Sequence, residues 1–197
     1  MSLLPSVTKG QIKTADGSSI VKLGKCSTVC GIVLKAYKGK GTITLNCDFP
    51  SSCSPKYTNH PNPESQELSY ILNKHINSLI DPSALQIDSE LGWNCVVDVV
   101  CLSDSDRVAD CAWIAVLSAF KDLKLPSVYL EDETVYYKEP YSALEFKVSL
   151  FFTFPDLRVL LDTDSIQYLE CTKRDSLSEK IVEARSQYPL IVERINA

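Results

Sequence analysis

Within seven positions the chain places Asp104, Asp106, Arg107 and Asp110. They lie in the run VVDVVCLSDSDRVADCAWIAVLSAFKDLKLP, from Val96 to Pro126, which reads as a buried strand, an acidic turn and a long apolar helix. Where a strand turns into a helix N-terminus, unpaired backbone N–H groups and the helix dipole favour an anion. Here the turn offers carboxylates against the single Arg107, and carboxylates repel the ligand that such a turn attracts. The expectation is a phosphate-type scaffold that has lost the chemistry.

Other residues able to do chemistry are scattered. Asp162 and Asp164 form a second acidic group with the right donors for magnesium, although acidic turns more often serve as solvated surface or helix caps. His75 falls beside the apolar stripe of a helix and reads as a packed or surface histidine. His60 lies in a Pro-rich loop and has no recognisable partner. With these two histidines in unrelated settings, neither a Ser-His-Asp nor a Cys-His arrangement has support. Glycine occurs only seven times, and no phosphate-cradling loop, nucleophile elbow or dinucleotide fingerprint is present. Lys35, Lys38 and Lys40 cluster around Gly39 and Gly41; they read as a solvated loop or, alternatively, as a basic edge facing RNA.

The elements that must position these groups follow from periodicity and turn chemistry. Residues 6–37 predict strands turning at Ala15–Ser18 and again at Gly24–Lys25, a meander. Thr42–Phe49 alternates like a strand, and residues 50–63 are a Pro-, Ser- and Asn-rich loop. Leu68, Ile71, Leu72, Ile76 and Leu79 repeat at helical spacing, with Glu64 and Glu67 in the first turn. Trp93–Cys101 is a central strand, and a helix runs from about Val108 to Leu123. Residues 127–148 read as two short strands around Glu139–Pro140, and Leu150–Leu161 as a hairpin turning at Pro155–Asp156. Ser176 and Glu179 make a capping box for a last helix, interrupted or ended near Pro189. Strands and helices in this order predict an α+β domain with helices packed on a mixed sheet.

Composition narrows the class. The chain has 197 residues, which favours one domain, and 45% apolar residues, enough for a core. A net charge of −5 argues against a free-standing nucleic-acid binder, because neutralising phosphates takes surplus Lys and Arg. No apolar run approaches the roughly 20 residues that span a bilayer, and the N-terminus does not read as a signal peptide. The expectation is an intracellular protein. Its eight cysteines then read as small core residues rather than disulfides. Cys26 and Cys30 lack the second pair that a zinc site needs, so no metal and no cofactor is expected.

Three segments carry a resemblance. GQIKTADGSSIVKLGKCSTVCGI resembles the opening meander of RNase PH-like domains, NCDFPSSCSPKY the strand and loop that follow, and the Val96–Pro126 run the central strand-turn-helix. Their order and spacing, over roughly residues 8–170, identify the chain as similar to the RNase PH-like ring subunits of the eukaryotic exosome. The fold implied is the RNase PH-like one (ribosomal protein S5 domain 2-like), with residues 1–197 as one domain lacking the usual N-terminal helix and part of the C-terminal region. The resemblance implies a place in a ring of such subunits, capped by S1 and KH proteins, with RNA threading the channel. It further implies work in rRNA processing and mRNA turnover, in the nucleus, nucleolus and cytoplasm, with no membrane partner.

Carried over residue by residue, the phosphorolytic chemistry of active family members fails here. Their Asp-Gly-Gly-Thr-Arg-like turn corresponds to Ser103–Arg107. Arg107 survives as a remnant of the phosphate site, but Ser103 replaces the Asp and Asp106 the Thr. A second negative charge roughly 4 Å from a bound phosphate costs on the order of several kcal/mol at partial burial. Their later carboxylate run corresponds to Asp162–Tyr168, with Gln167 and Tyr168 where acids belong. Their Arg-rich helix is SQELSYILNKHINSLI here, without an Arg. The reading is a non-catalytic scaffold subunit. The alternatives are an active phosphate-dependent 3′→5′ exoribonuclease, which Arg107 alone supports, or an unrelated intracellular interaction domain.

Overall fold

The computed structural model describes residues 4–58, 62–131, 134–155, 157–163, 165–171 and 177–197. His60, Asp156, Asp164 and Ser176 lie outside the described residues, and with them half of the second acidic group and of the expected capping box. A five-stranded sheet forms the base of the fold, in the order β1-β2-β3-β5-β4: β1 Ser6–Lys9, β2 Gly17–Leu23, β3 Cys26–Lys38, β5 Leu91–Ser103 and β4 Thr42–Asp48. All its pairs are antiparallel except β4 with β5. A parallel pair needs a crossover, and α1 (Pro63–Leu79) with a short 3-10 turn at Pro82–Leu85 supplies it.

The meander is present, but its first turn is longer than Asp-Gly suggests. Gly17 and Ser18 already belong to β2, while Asp16 docks on β3: its N–H reaches the Ile32 carbonyl at 2.8 Å, and its carboxylate accepts the Leu34 N–H at 2.7 Å. The second turn is tight, with Gly24 at φ 63°, a conformation that glycine adopts without steric cost. Gly17 has a packing role. A Cβ there would stand 2.7 Å from the Ala119 carbonyl oxygen of α2 (Val108–Asp122), so glycine lets that helix lie close on β2.

α2 is buried all round, from Ala109 to Phe120. A helix without a polar face must be covered on every side. The base sheet covers one side. A second sheet, β10-β9-β8, with α3 covers another: β8 Leu150–Phe154, β9 Leu157–Leu161, β10 Ile166–Cys171 and α3 Leu177–Asn196. Trp113 Nε1 ties the layers by donating to the Ser149 carbonyl at 2.6 Å. Six of the eight cysteines are buried, in keeping with their reading as core residues. Among the described residues no helix is long and apolar enough to cross a membrane.

Three expectations need correction. The hairpin expected to turn at Glu139–Pro140 pairs β6 (Lys124–Glu131) with β7 (Thr134–Ala143), so those two residues lie inside β7. The register shifts opposite them, between Pro126 and Ser127, and a bulge is where a strand tolerates a residue lacking N–H. The last helix is continuous through Pro189. Its Ala184, Ile191 and Ile195 are buried, and that packing holds the helix together across the lost hydrogen bond. Finally, β10 forms where no strand was expected. Its residues are mostly exposed and lack a clear alternation, so pairing with β9, not a buried face, defines it.

Candidate functional site

α1 and the central turn build the first candidate. Edge strands need their free backbone groups covered, and α1 does this for β4 with side chains spaced four apart. Ser69 accepts the Cys47 N–H at 2.8 Å, Asn73 accepts the Leu45 N–H at 2.8 Å, and Asn77 reaches the Ile43 carbonyl at 3.4 Å. The polar stripe Ser69-Asn73-Asn77 is thus structural, a role that the apolar periodicity of the helix did not reveal. Helix start is set by Asn62, whose side chain accepts the Ser65 N–H at 2.8 Å, with Pro63 at the first position.

Between α1 and the turn lies a cleft of about 290 Å³. Phe49, Leu68 and Ile71 floor it; Glu64, Glu67, Asp104 and Asp106 supply four carboxylates, against Lys56 and Arg158. The sequence pointed to Asp104 and Asp106 here; it missed Lys56, Arg158, Glu64 and Glu67. Asp104 accepts from Lys56 Nζ at 2.5 Å and from the Tyr57 hydroxyl at 3.1 Å, which binds the loop before α1 to the turn. Lys56 is held charged, its pKa raised by the bond to Asp104, and burial pushes the Tyr57 hydroxyl up to about 12. Asp106 is exposed.

Arg107 stands at the N-cap of α2 without a side-chain cap bond, and its Nε donates to Asp110 at 2.8 Å. Asp110 is completely buried and also accepts from the Thr153 N–H at 3.2 Å and hydroxyl at 2.7 Å. Burial pushes its carboxyl above the ordinary range, and Arg107 and Thr153 pull it back. Arg107 therefore ties α2 to β8 through Asp110. Ser103 is equally occupied, donating to the Lys25 carbonyl at 2.9 Å.

Gln167 and Tyr168, singled out in the sequence, do not line this cleft. Gln167 donates to Asp162 at 2.6 Å and lines a separate pocket near the end of α1. Tyr168 stands between the two: its ring packs 5.2 Å from that of His75, while its hydroxyl bonds Glu170 at 3.1 Å, which pairs with Arg158 at 3.7 Å. Of the basic edge, Lys35, Lys38 and Lys40 are all exposed. Alternation puts Lys35 and Lys38 on opposite faces of β3, and Lys40 lies beside Pro82, Gln86 and Asp88. Among the described residues, no three His, Cys, Asp or Glu gather as a metal site would require.

Comparison with known proteins places this geometry. The model of the 3′ exoribonuclease family, domain 1 (RNase PH) matches residues 5–126. The chain is 30% identical over 134 residues to the exosome complex component rrp43 of Schizosaccharomyces pombe, across 62% of this chain and 49% of that protein. It is 27% identical over 137 residues to the exosome complex component Rrp42 of Archaeoglobus fulgidus, across 64% of this chain and 51% of that one. The chain thus spans about half the length of the curated relatives it matches. A chain of the Archaeoglobus fulgidus exosome with RNA bound to the active site shares the fold, with a TM-score of 0.67 at 19% identity, covering 92% of this chain and 82% of that one. A chain of an archaeal exosome core does so with a TM-score of 0.66 at 18% identity, covering 97% and 83%.

Proposed function

The chain belongs to the 3′ exoribonuclease (RNase PH) family, and on that premise we propose that it is a non-catalytic ring subunit of an RNA exosome. One observation carries the second half of that reading. The only surviving member of the phosphate-binding turn, Arg107, has its guanidinium engaged by the buried Asp110. Phosphorolysis requires cations and N–H donors that gather an attacking phosphate and the scissile phosphodiester. Among the described residues the cleft beside the turn instead holds four carboxylates against two cations, and that excess opposes the approach of both.

In this reading the chain works by contact. Its partners are other RNase PH-like ring subunits, with S1/KH cap proteins above them and RNA in the channel. Of Lys35, Lys38 and Lys40, the cations proposed to reach that RNA, Lys35 and Lys38 lie on opposite faces of β3, so at most one of those two joins Lys40 in facing it; the exposed β10 edge and α3 form subunit contacts. The settings are rRNA processing and mRNA turnover in the nucleus, nucleolus and cytoplasm. The test is an affinity capture of the tagged chain from its own cells, read by mass spectrometry. Co-purification of several RNase PH-like chains with S1/KH proteins is the expected result; their absence overturns the ring assignment. Release of nucleoside diphosphates from RNA and phosphate by the purified chain would overturn the non-catalytic half.

A further inference from the structure

The loop ahead of α1 and the end of β5 share more than the pair of Lys56 with Asp104. Three residues before Lys56 stands Cys53, and three residues before Asp104 stands Cys101. The ion pair and the Tyr57–Asp104 bond draw these two segments together. The thiols of Cys53 and Cys101 lie within hydrogen-bonding reach of each other. The loop is itself folded tightly. The Cys53 N–H donates to the Pro50 carbonyl at 2.9 Å, the Tyr57 N–H donates to the Ser54 carbonyl at 3.1 Å, and the Phe49 and Tyr57 rings meet at 5.1 Å. Cys53 is therefore held against β5 rather than carried on an open loop.

The two thiols differ in access. Cys101 is buried, and Cys53 is partly exposed. A third thiol stands behind them. Cys26 opens β3 on the same face as Thr28, which pairs with Cys101 across β5. Hydrogen bonding from Cys101, then from Cys111, lowers the Cys26 thiol from its ordinary value, and the same contact with Cys26 raises that of Cys101. The shared proton thus stays on Cys101 and the charge on Cys26. Among the described residues no three such groups gather as a metal would require. The chemistry open to these thiols is therefore between pairs of sulfurs.

We propose that Cys53 and Cys101 form a reversible disulfide, made by exchange with a small disulfide such as oxidised glutathione. Cys53 loses its proton to water and attacks one glutathione sulfur; the other glutathione leaves as a thiolate, and Cys53 is left in a mixed disulfide. The Cys101 sulfur then attacks the Cys53 sulfur, its proton passes to the Cys26 thiolate, and the second glutathione leaves as a thiolate. Two protein thiols are oxidised and one small disulfide is reduced to two thiols. Burial raises the Cys53 thiol above its ordinary value, so the first step quickens as the solution is made alkaline. The product fastens the loop to β5 covalently, beside the ion pair that already docks it. A reducing thiol pool reopens it. The inference concerns this chain alone and does not rest on the ring-subunit reading.

The test treats the full chain, natively folded, with oxidised glutathione. Remaining thiols are alkylated, and the chain is digested without reductant and read by mass spectrometry. The expected result is a peptide joining Cys53 to Cys101, with two of the eight cysteines lost to alkylation and recovered with dithiothreitol. Cys53→Ser is expected to abolish that loss; the residue is partly exposed, so the variant is expected to fold. Cys101→Ala is expected to stop the reaction at the mixed disulfide on Cys53. Cys171→Ser, which changes the other partly exposed cysteine, is expected to leave the link intact. A mixed disulfide on Cys53 that never passes to Cys101, a link to a different cysteine, or no reaction until the chain is unfolded in urea overturns the inference.

Discussion

Two cavities open along α1, and they differ in where their cations are engaged. At the central turn Arg107 is tied to Asp110 and Lys56 to Asp104, while Arg158 meets Glu170 only at 3.7 Å and, among the described residues, has no hydrogen-bond partner for its buried Nε. At the other end Lys74 and Lys147 are exposed without an ion pair among the described residues, and His75 has no hydrogen-bond partner. The difference teaches that counting charged residues does not find a ligand site. A cation already held by an internal carboxylate stabilises the fold; only one left without a partner remains for a ligand. The bonds at Asp104 and Arg107 are internal to the fold, and the cations without an ion pair among the described residues, Lys74 on α1 and Lys147 ahead of β8, lie elsewhere.

The strongest attempt to break this contrast is Asp110→Ala. If Arg107 is a clamp, the substitution leaves Arg107 Nε and both Thr153 donors without their carboxylate at a part-buried junction. A loss of about 3–5 kcal/mol in urea unfolding is expected, whereas an unchanged midpoint would show that Arg107 is free to hold a ligand after all. Next in size is Asn73→Ala, which strips both partners from the Leu45 backbone on the β4 edge. Unpaired buried backbone groups cost about 1–3 kcal/mol, and the same unfolding measurement reads it. Because α1 walls both cavities, this variant is also expected to broaden NMR signals at each; broadening at one only would separate them mechanically.

The meander, the central strand-turn-helix and α1 were legible because local signals and burial agree there. Asp-Gly and Gly-Lys turns punctuate the alternating runs, and α2 is apolar enough to demand cover. What stayed hidden depended on partners distant in sequence. Thr153, which completes the bonding of Asp110, lies 43 residues downstream, so the sequence did not reveal that Arg107 ties α2 to β8 through Asp110. Pro140 read as a turn because a bulge opposite Pro126 is invisible locally. Pro189 read as a break because the contacts that hold α3 across it are tertiary. His75 was read as packed or surface; it is packed at 8% exposure, and the pocket it lines forms only when Lys147 and the second sheet fold beside α1.

Acidity sharpens the contrast through sign. Burial, then Lys74, lowers the His75 pKa from 6.5, so its neutral form is favoured in the fold. The stability it contributes is present above 6.5 and is lost as pH falls through the lower folded value. Asp110 behaves oppositely: its pKa is raised from 3.8, so its contribution is present below 3.8 and is lost as pH rises through the folded value. Urea midpoints across the acid range should therefore show a loss below about pH 6.5 that His75→Gln flattens. If His75→Gln leaves the profile untouched, the imidazole is not held neutral and its pocket is wetter than its burial implies.

The smallest effect belongs to Lys56→Ala. The Lys56 side chain is 55% exposed, so its pair with Asp104 is screened by water and worth under about 1 kcal/mol. The Tyr57 hydroxyl still occupies Asp104 after the substitution, so the loop before α1 should stay docked. Thermal melting within a degree or two of the parent chain is expected, about what such a small loss produces. A drop comparable to that of Asp110→Ala would mean that the cleft is held together by its charges throughout. The clamp at Arg107 would then be one part of a general network, and the distinction between an arginine built into the core and a lysine resting on the surface would fail.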